Sequence, residues 1–142
     1  MLQIDRQHLP TSDELPDSDD TPVDNEDQNF VPNVLLFLLE YIWKHRDDWY
    51  FAVDMGVYHT TGLSPRVPII PDGFLSLGVE RRKNGGSRKS YVMWEEMDIS
   101  PILTLEVVSP KHTTRGKLRA LALRGKRTAV STALFFQQMH YN

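Results

Sequence analysis

Pro101-Ile-Leu-Thr-Leu-Glu-Val-Val, residues 101–108, is the stretch on which the fold turns. Strict alternation puts Leu103, Leu105 and Val107 on one face of a strand and Ile102, Thr104, Glu106 and Val108 on the other. Both faces are largely apolar, and Glu106 interrupts them. Upstream, Ile69 to Leu77 (Ile-Ile-Pro-Asp-Gly-Phe-Leu-Ser-Leu) predicts a second strand. Pro71 weakens it and places it at an edge or a bulge. Trp49 to Tyr58 alternates as well, with Trp49, Phe51, Val53, Met55 and Val57 expected on one face. Thr60 to Pro68 is a turn-rich connection, and Ser90 to Trp94 adds a short hairpin strand. A helix is expected between Thr21 and His45, with Phe30, Val34, Phe37, Leu38 and Tyr41 recurring at helical spacing. Pro32 is the difficulty, because inside a helix it removes a hydrogen bond. Either the helix continues through it, which makes Glu26 helical, or it starts near Asn29. The order helix, strand, strand, insertion, strand is that of an α/β fold.

The 142 residues suffice for one domain, at roughly 100–200 residues each. A hydrophobic content of 40% and an aromatic content of 10% allow a core. The absence of cysteine excludes disulfides, cysteine nucleophiles and thiolate zinc sites. The run Val34 to Leu39 falls far short of the roughly 20 apolar residues of a membrane span. No leader pattern stands at the N-terminus. A soluble, cytoplasmic protein without a membrane partner is expected.

The net charge of −3 hides an asymmetry. Residues 1–30 carry nine acids and one base, whereas residues 107–142 carry seven bases and no acid. Between them Arg81-Arg82-Lys83 and Arg88-Lys89 flank Asn84-Gly-Gly-Ser87. Basic clusters of this kind either follow a phosphate backbone or form a solvated hairpin tip.

Two carboxylates stand out. Asp72 follows a proline inside an apolar strand, and Glu106 sits within another. A buried carboxylate needs a compensating charge or hydrogen bond. On neighbouring strands and facing the same way, the pair would share a hard cation such as Mg²⁺, which takes oxygen ligands and keeps waters. Otherwise Asp72 is a turn residue after Pro71, and Glu106 an edge carboxylate at a strand end. Asp54 is a third ligand or a solvated strand residue. No serine-nucleophile elbow, phosphate loop or histidine metal pattern is present.

Five blocks in order resemble one family: Leu9-Pro-Thr-Ser-Asp-Glu-Leu-Pro-Asp-Ser-Asp, Thr21-Pro-Val-Asp-Asn-Glu, Val53-Asp-Met-Gly-Val-Tyr, Ile70-Pro-Asp-Gly-Phe-Leu-Ser-Leu-Gly-Val and Pro101-Ile-Leu-Thr-Leu-Glu-Val-Val-Ser. Over residues 9–110 the chain resembles the Uma-two family of restriction endonucleases, in the form abundant in cyanobacteria. The resemblance implies a restriction-endonuclease-like core of the PD-(D/E)XK class, a mixed sheet flanked by helices and incomplete after the third core strand. Composition and the extent of the resemblance together give a polar lead-in over residues 1–22, a partial domain over 23–110 and a divergent basic tail over 111–142. Asp72 and Glu106 become metal ligands and catalytic acids, Glu26 an accessory acid near the metal, and Val107 a carbonyl ligand. The implied reaction is Mg²⁺-dependent hydrolysis of DNA, with Mn²⁺ as substitute and a homodimer as one arrangement. On their clustered charge, and not through the resemblance, Arg81, Arg82, Lys83, Arg88 and Lys89 are the candidate nucleic-acid-binding bases, together with the basic tail.

Val108 stands where the motif has its lysine, Ala120 where the family's helix supplies it, and Lys117 is the nearest catalytic replacement, with Lys111 as another candidate. The resemblance ends near Ser109-Pro110, as expected of a shifted reading frame or a divergent terminus. The alternative function is a catalytically dead nucleic-acid-binding remnant.

Overall fold

Helix α1 runs from Glu26 to Ile42, straight through Pro32. The proline cannot donate to the carbonyl of Gln28, but its ring is buried against Gly73, where an added Cβ would lie 3.3 Å from it. A computed structural model describes residues 8–16, 26–61 and 64–107 of the chain. Thr21 at the expected helix start, Val108, Lys111, Lys117, Ala120 and the basic tail over 111–142 lie outside the described residues.

Five strands follow α1: β1 (Trp49–Val53), β2 (Val57–Tyr58), β3 (Gly73–Leu77), β4 (Tyr91–Val92) and β5 (Leu103–Leu105). Strands β1, β3 and β5 form one antiparallel sheet with β3 in the centre. Strands β2 and β4 pair in parallel, Val57 with Tyr91 and Tyr58 with Val92. The fold is therefore mixed α/β. Segment 90–94 contributes β4 as expected, but as a parallel partner of β2 and not as a hairpin arm.

One sheet face carries Trp49, Phe51 and Leu75, and Leu35, Leu36, Leu39 and Trp43 of α1 pack on it. The other carries Tyr50, Ala52 and Phe74, packed with Val57, Val79 and Tyr91. Tyr50 stacks on Tyr91 with ring centroids 6.1 Å apart, and Phe74 meets Tyr91 edge-on at 5.2 Å. Burial pushes the Tyr91 hydroxyl up to about 12.

Three expectations change. Ile69 to Leu77 is not an edge strand: β3 begins at Gly73, past Pro71, and lies between β1 and β5. The alternation over 49–58 does not keep one face, because Asp54 adopts a left-handed backbone, φ 50°. Aspartate tolerates that conformation better than most residues. The reversal sends Met55 and Val57 to the face of Tyr50, opposite Trp49 and Phe51. The helical stripe of Phe30, Val34, Phe37, Leu38 and Tyr41 is exposed and does not face the sheet. Part of the polar lead-in is docked: Leu15 packs on Tyr58 and Val92. The Tyr58 hydroxyl and Trp94 indole N–H donate to the carbonyls of Pro16 and Pro10 at 2.6 and 2.9 Å.

Candidate functional site

The end of the three-stranded sheet brings Asp72 and Glu106 into neighbouring positions. Gly73 pairs with Val53 on one side and Leu105 on the other. Continuing the β3–β5 register by one residue sets Asp72 opposite Glu106, whereas Asp54, past the end of β1 and in left-handed backbone, does not follow the alternation of its strand. Residues directly opposite on antiparallel strands point to the same face, with Cβ atoms about 4.5–5.5 Å apart. Here that face is the one bearing Tyr50, Phe74 and Thr104.

Two hydrogen bonds fix the row. The Asp54 N–H donates to the Asp72 carbonyl at 3.1 Å. The Val107 N–H donates to Asp72 Oδ2, which ties the Glu106-Val107 peptide to the carboxylate across the strand. Asp72, Glu106 and Val107 are half-buried, whereas Asp54 is exposed. Pro71, fully buried, brings the chain into this row without an N–H of its own.

The donor set suits a hard cation. Mg²⁺ is commonly held by one or two carboxylates with several waters retained, and two carboxylates in cross-strand register supply that. A hydrogen bond to one carboxylate oxygen also sets the direction of the other. Thr104 Oγ1, on the same face two residues before Glu106, is buried with no hydrogen-bond partner among the described residues. A polar atom in that position calls for an ordered water. A denser cage is not present: among the described residues, no three His, Cys, Asp or Glu side chains come together to hold a metal. Glu26 opens α1 and is exposed, and the helix it belongs to covers the sheet face opposite the acidic row.

The basic cluster is largely neutralised. Arg81 pairs with Glu40 of α1, and its guanidinium lies 4.5 Å above the Trp49 ring. Lys83 reaches Glu95 at 2.5 Å and Glu96 at 3.7 Å, and Lys89 reaches Asp13 at 3.2 Å. Arg88 is enclosed: Nε and Nη2 donate to the two Glu96 oxygens at 2.8 and 3.2 Å. Its Nη2 also donates to the Glu80 carbonyl at 2.7 Å, and the guanidinium stacks 4.3 Å over Tyr50. Arg82 differs, being exposed and bonded to the Ser87 hydroxyl at 3.3 Å.

Glu95 and Glu96 are the residues that sequence reading passed over. Burial works to raise the Glu95 carboxyl, but hydrogen bonds from Lys83 and from the Ser12 N–H and hydroxyl hold it below its usual range. A polar cavity of about 280 Å³ lies between Ser12, Lys83, Ser87, Lys89 and Glu95, and no acidic-row residue lines it. Its bases already have carboxylate partners, so it offers an anion little unshared positive charge.

Among the described residues, no helix is long and apolar enough to cross a membrane. Comparison of the chain with family models, with curated proteins and with solved structures gives no match.

Proposed function

We propose that this chain is a Mg²⁺-dependent DNA endonuclease domain built on a restriction-endonuclease-like core, the class its sequence resembles. The observation that carries the reading is the β3–β5 register, which, continued by one residue, sets Asp72 opposite Glu106. The main sheet supports it too: α1 precedes β1, β3 and β5, which form one antiparallel sheet with the helix against one face.

In this reading Asp72 and Glu106 hold the ion, with Val107 as a carbonyl ligand. Held by these carboxylates, Mg²⁺ would supply an acidified water and positive charge to offset that developing on a phosphodiester. Val107 orients the Asp72 carboxylate through its N–H. Arg82 is the base best placed to meet a phosphate. Lys83 and Lys89 reach DNA only by leaving Glu95 and Asp13, and Arg88 stays within the fold. Glu26 keeps the accessory-acid role that the resemblance implies, on the helix that packs against the other sheet face. Lys117 is assigned the lysine role of orienting the attacking water.

Among the described residues, Arg81, Lys83, Arg88 and Lys89 are paired with carboxylates, so the alternative of a binding-only remnant rests on Arg82 and on the basic tail, which lies outside them. The test is nicking of supercoiled plasmid by the full chain with Mg²⁺ or Mn²⁺, beside Asp72→Asn, Glu106→Gln and Lys117→Ala. Cleavage by the parent that falls about 100-fold or more in the first two variants is expected. Cleavage surviving in both folded variants, or absent from a folded parent with either metal, overturns the proposal.

A further inference from the structure

Helix α1 is apolar on two sides, and one of them faces no other element among the described residues. Phe30, Phe37 and Tyr41 are 65%, 70% and 79% exposed, with Val34 between them and Leu38 and Ile42 alongside. The positions 30, 34, 37 and 41 alternate steps of four and three, the spacing of a helix–helix seam. The same stripe continues to Asp27 at one end and to Lys44, just past the other end, both exposed. It is therefore acid at its start, aromatic in its middle and basic at its close.

We propose that this face binds α1 of a second copy of the chain, antiparallel across a twofold axis. A twofold passing between residues 35 and 36 sets Phe30 against the partner's Tyr41, Val34 against the partner's Phe37 and Asp27 beside the partner's Lys44. Every contact then occurs twice, as an isologous interface requires. Parallel pairing would set Asp27 on Asp27 and Lys44 on Lys44, and like charges facing each other oppose association. Aromatic side chains bury about 150–250 Å² each. At the exposures given, the stripe offers roughly 500–600 Å² per copy. That approaches the low end of specific interfaces, about 600 Å² per partner, and reaches the top of what a monomer leaves uncovered. The pairing is independent of the acidic row, which lies at the end of the opposite sheet face.

Sedimentation equilibrium of the full chain tests it, with circular dichroism confirming that each variant is folded. The parent dimerises reversibly, and Phe37→Glu raises the dissociation constant at least about 30-fold, the scale of a central aromatic anchor. Asp27→Lys and Lys44→Glu each weaken self-association, and an equimolar mixture of the two regains the dimer, because every contact in the mixed pair is again between opposite charges. A parent that stays monomeric, from a stripe left bare or covered by its own chain, overturns the proposal. So does a dimer indifferent to Phe37→Glu, or a mixture of the charge variants that stays dissociated.

Discussion

Replacing Arg88 by alanine separates a structural arginine from a DNA-binding one. The side chain is 1% exposed and its partner Glu96 7%. Truncation removes both bonds to Glu96, the bond to the Glu80 carbonyl and the stacking on Tyr50. It also leaves a buried carboxylate whose remaining base is Lys83, 3.7 Å away. Breaking one side of a buried ion pair costs about 3–5 kcal/mol. Lys83 offsets part of that, so about 3 kcal/mol is expected. Against a total stability of about 5–15 kcal/mol the loss is large, and it lowers the melting temperature by roughly 12 °C or more. Urea unfolding followed by the fluorescence of Trp43, Trp49 and Trp94 measures it. The double variant Arg88→Met with Glu96→Leu recovers most of the loss, since no charge is then stranded. A loss below about 1 kcal/mol in Arg88→Ala, or a double variant no better than the single, refutes the buried-pair account. An arginine that served only to contact phosphate would leave the melt unchanged and flatten the salt dependence of DNA binding.

Lys89→Ala is expected to change stability by no more than about 0.5 kcal/mol, because its pair with Asp13 is open to solvent; urea unfolding decides it. Gly73→Ala should cost about 1–3 kcal/mol, as the added methyl meets the Phe51 ring at 3.0 Å and Pro32 at 3.3 Å. The same denaturation curve reads it, and a neutral result would mean α1 does not sit where described. Lowering pH should release the 8–16 segment. Glu95 has its carboxyl held below 4.5 in the folded state, so its contribution is intact above that value and is lost as pH falls through the folded one. Hydrogen exchange at the Ser12 amide, which Glu95 accepts at 2.8 Å, should quicken there, while Ser12 exchange that keeps its protection across that range refutes the assignment. Buried His59, with its ring pKa lowered by burial, adds stability that is full above about 6.5 and declines below it.

Asp72 and Glu106 were legible as candidates because each interrupts an apolar stretch, where a carboxylate is conspicuous. Their opposition was not, since register depends on which strands pair and on where pairing begins. The helix shows the limit of periodicity. The stripe of Phe30 and Tyr41 is as regular as that of Leu35, Leu36 and Leu39, so spacing finds two apolar faces and cannot say which meets the sheet. Packing settles it through Pro32, whose ring fits over Gly73. The 49–58 alternation failed at one residue, Asp54, whose left-handed backbone leaves no mark in a hydrophobic pattern. The basic cluster was visible as charge, but its neutralisation was hidden. Arg81 finds its acid 41 positions away on α1, and Arg88 finds Glu96 only after the intervening loop folds back.

Manganese binding tests the account at its centre, the claim that Asp72 and Glu106 face one another as a divalent-cation site. Titration of the full chain with Mn²⁺, read by the loss of the free-ion paramagnetic resonance signal, should show one site that Mg²⁺ displaces. Asp72→Asn and Glu106→Gln should each abolish it, and Glu95→Gln should leave it intact. A folded chain that binds no Mn²⁺, or one whose site survives both acidic-row substitutions, would contradict it.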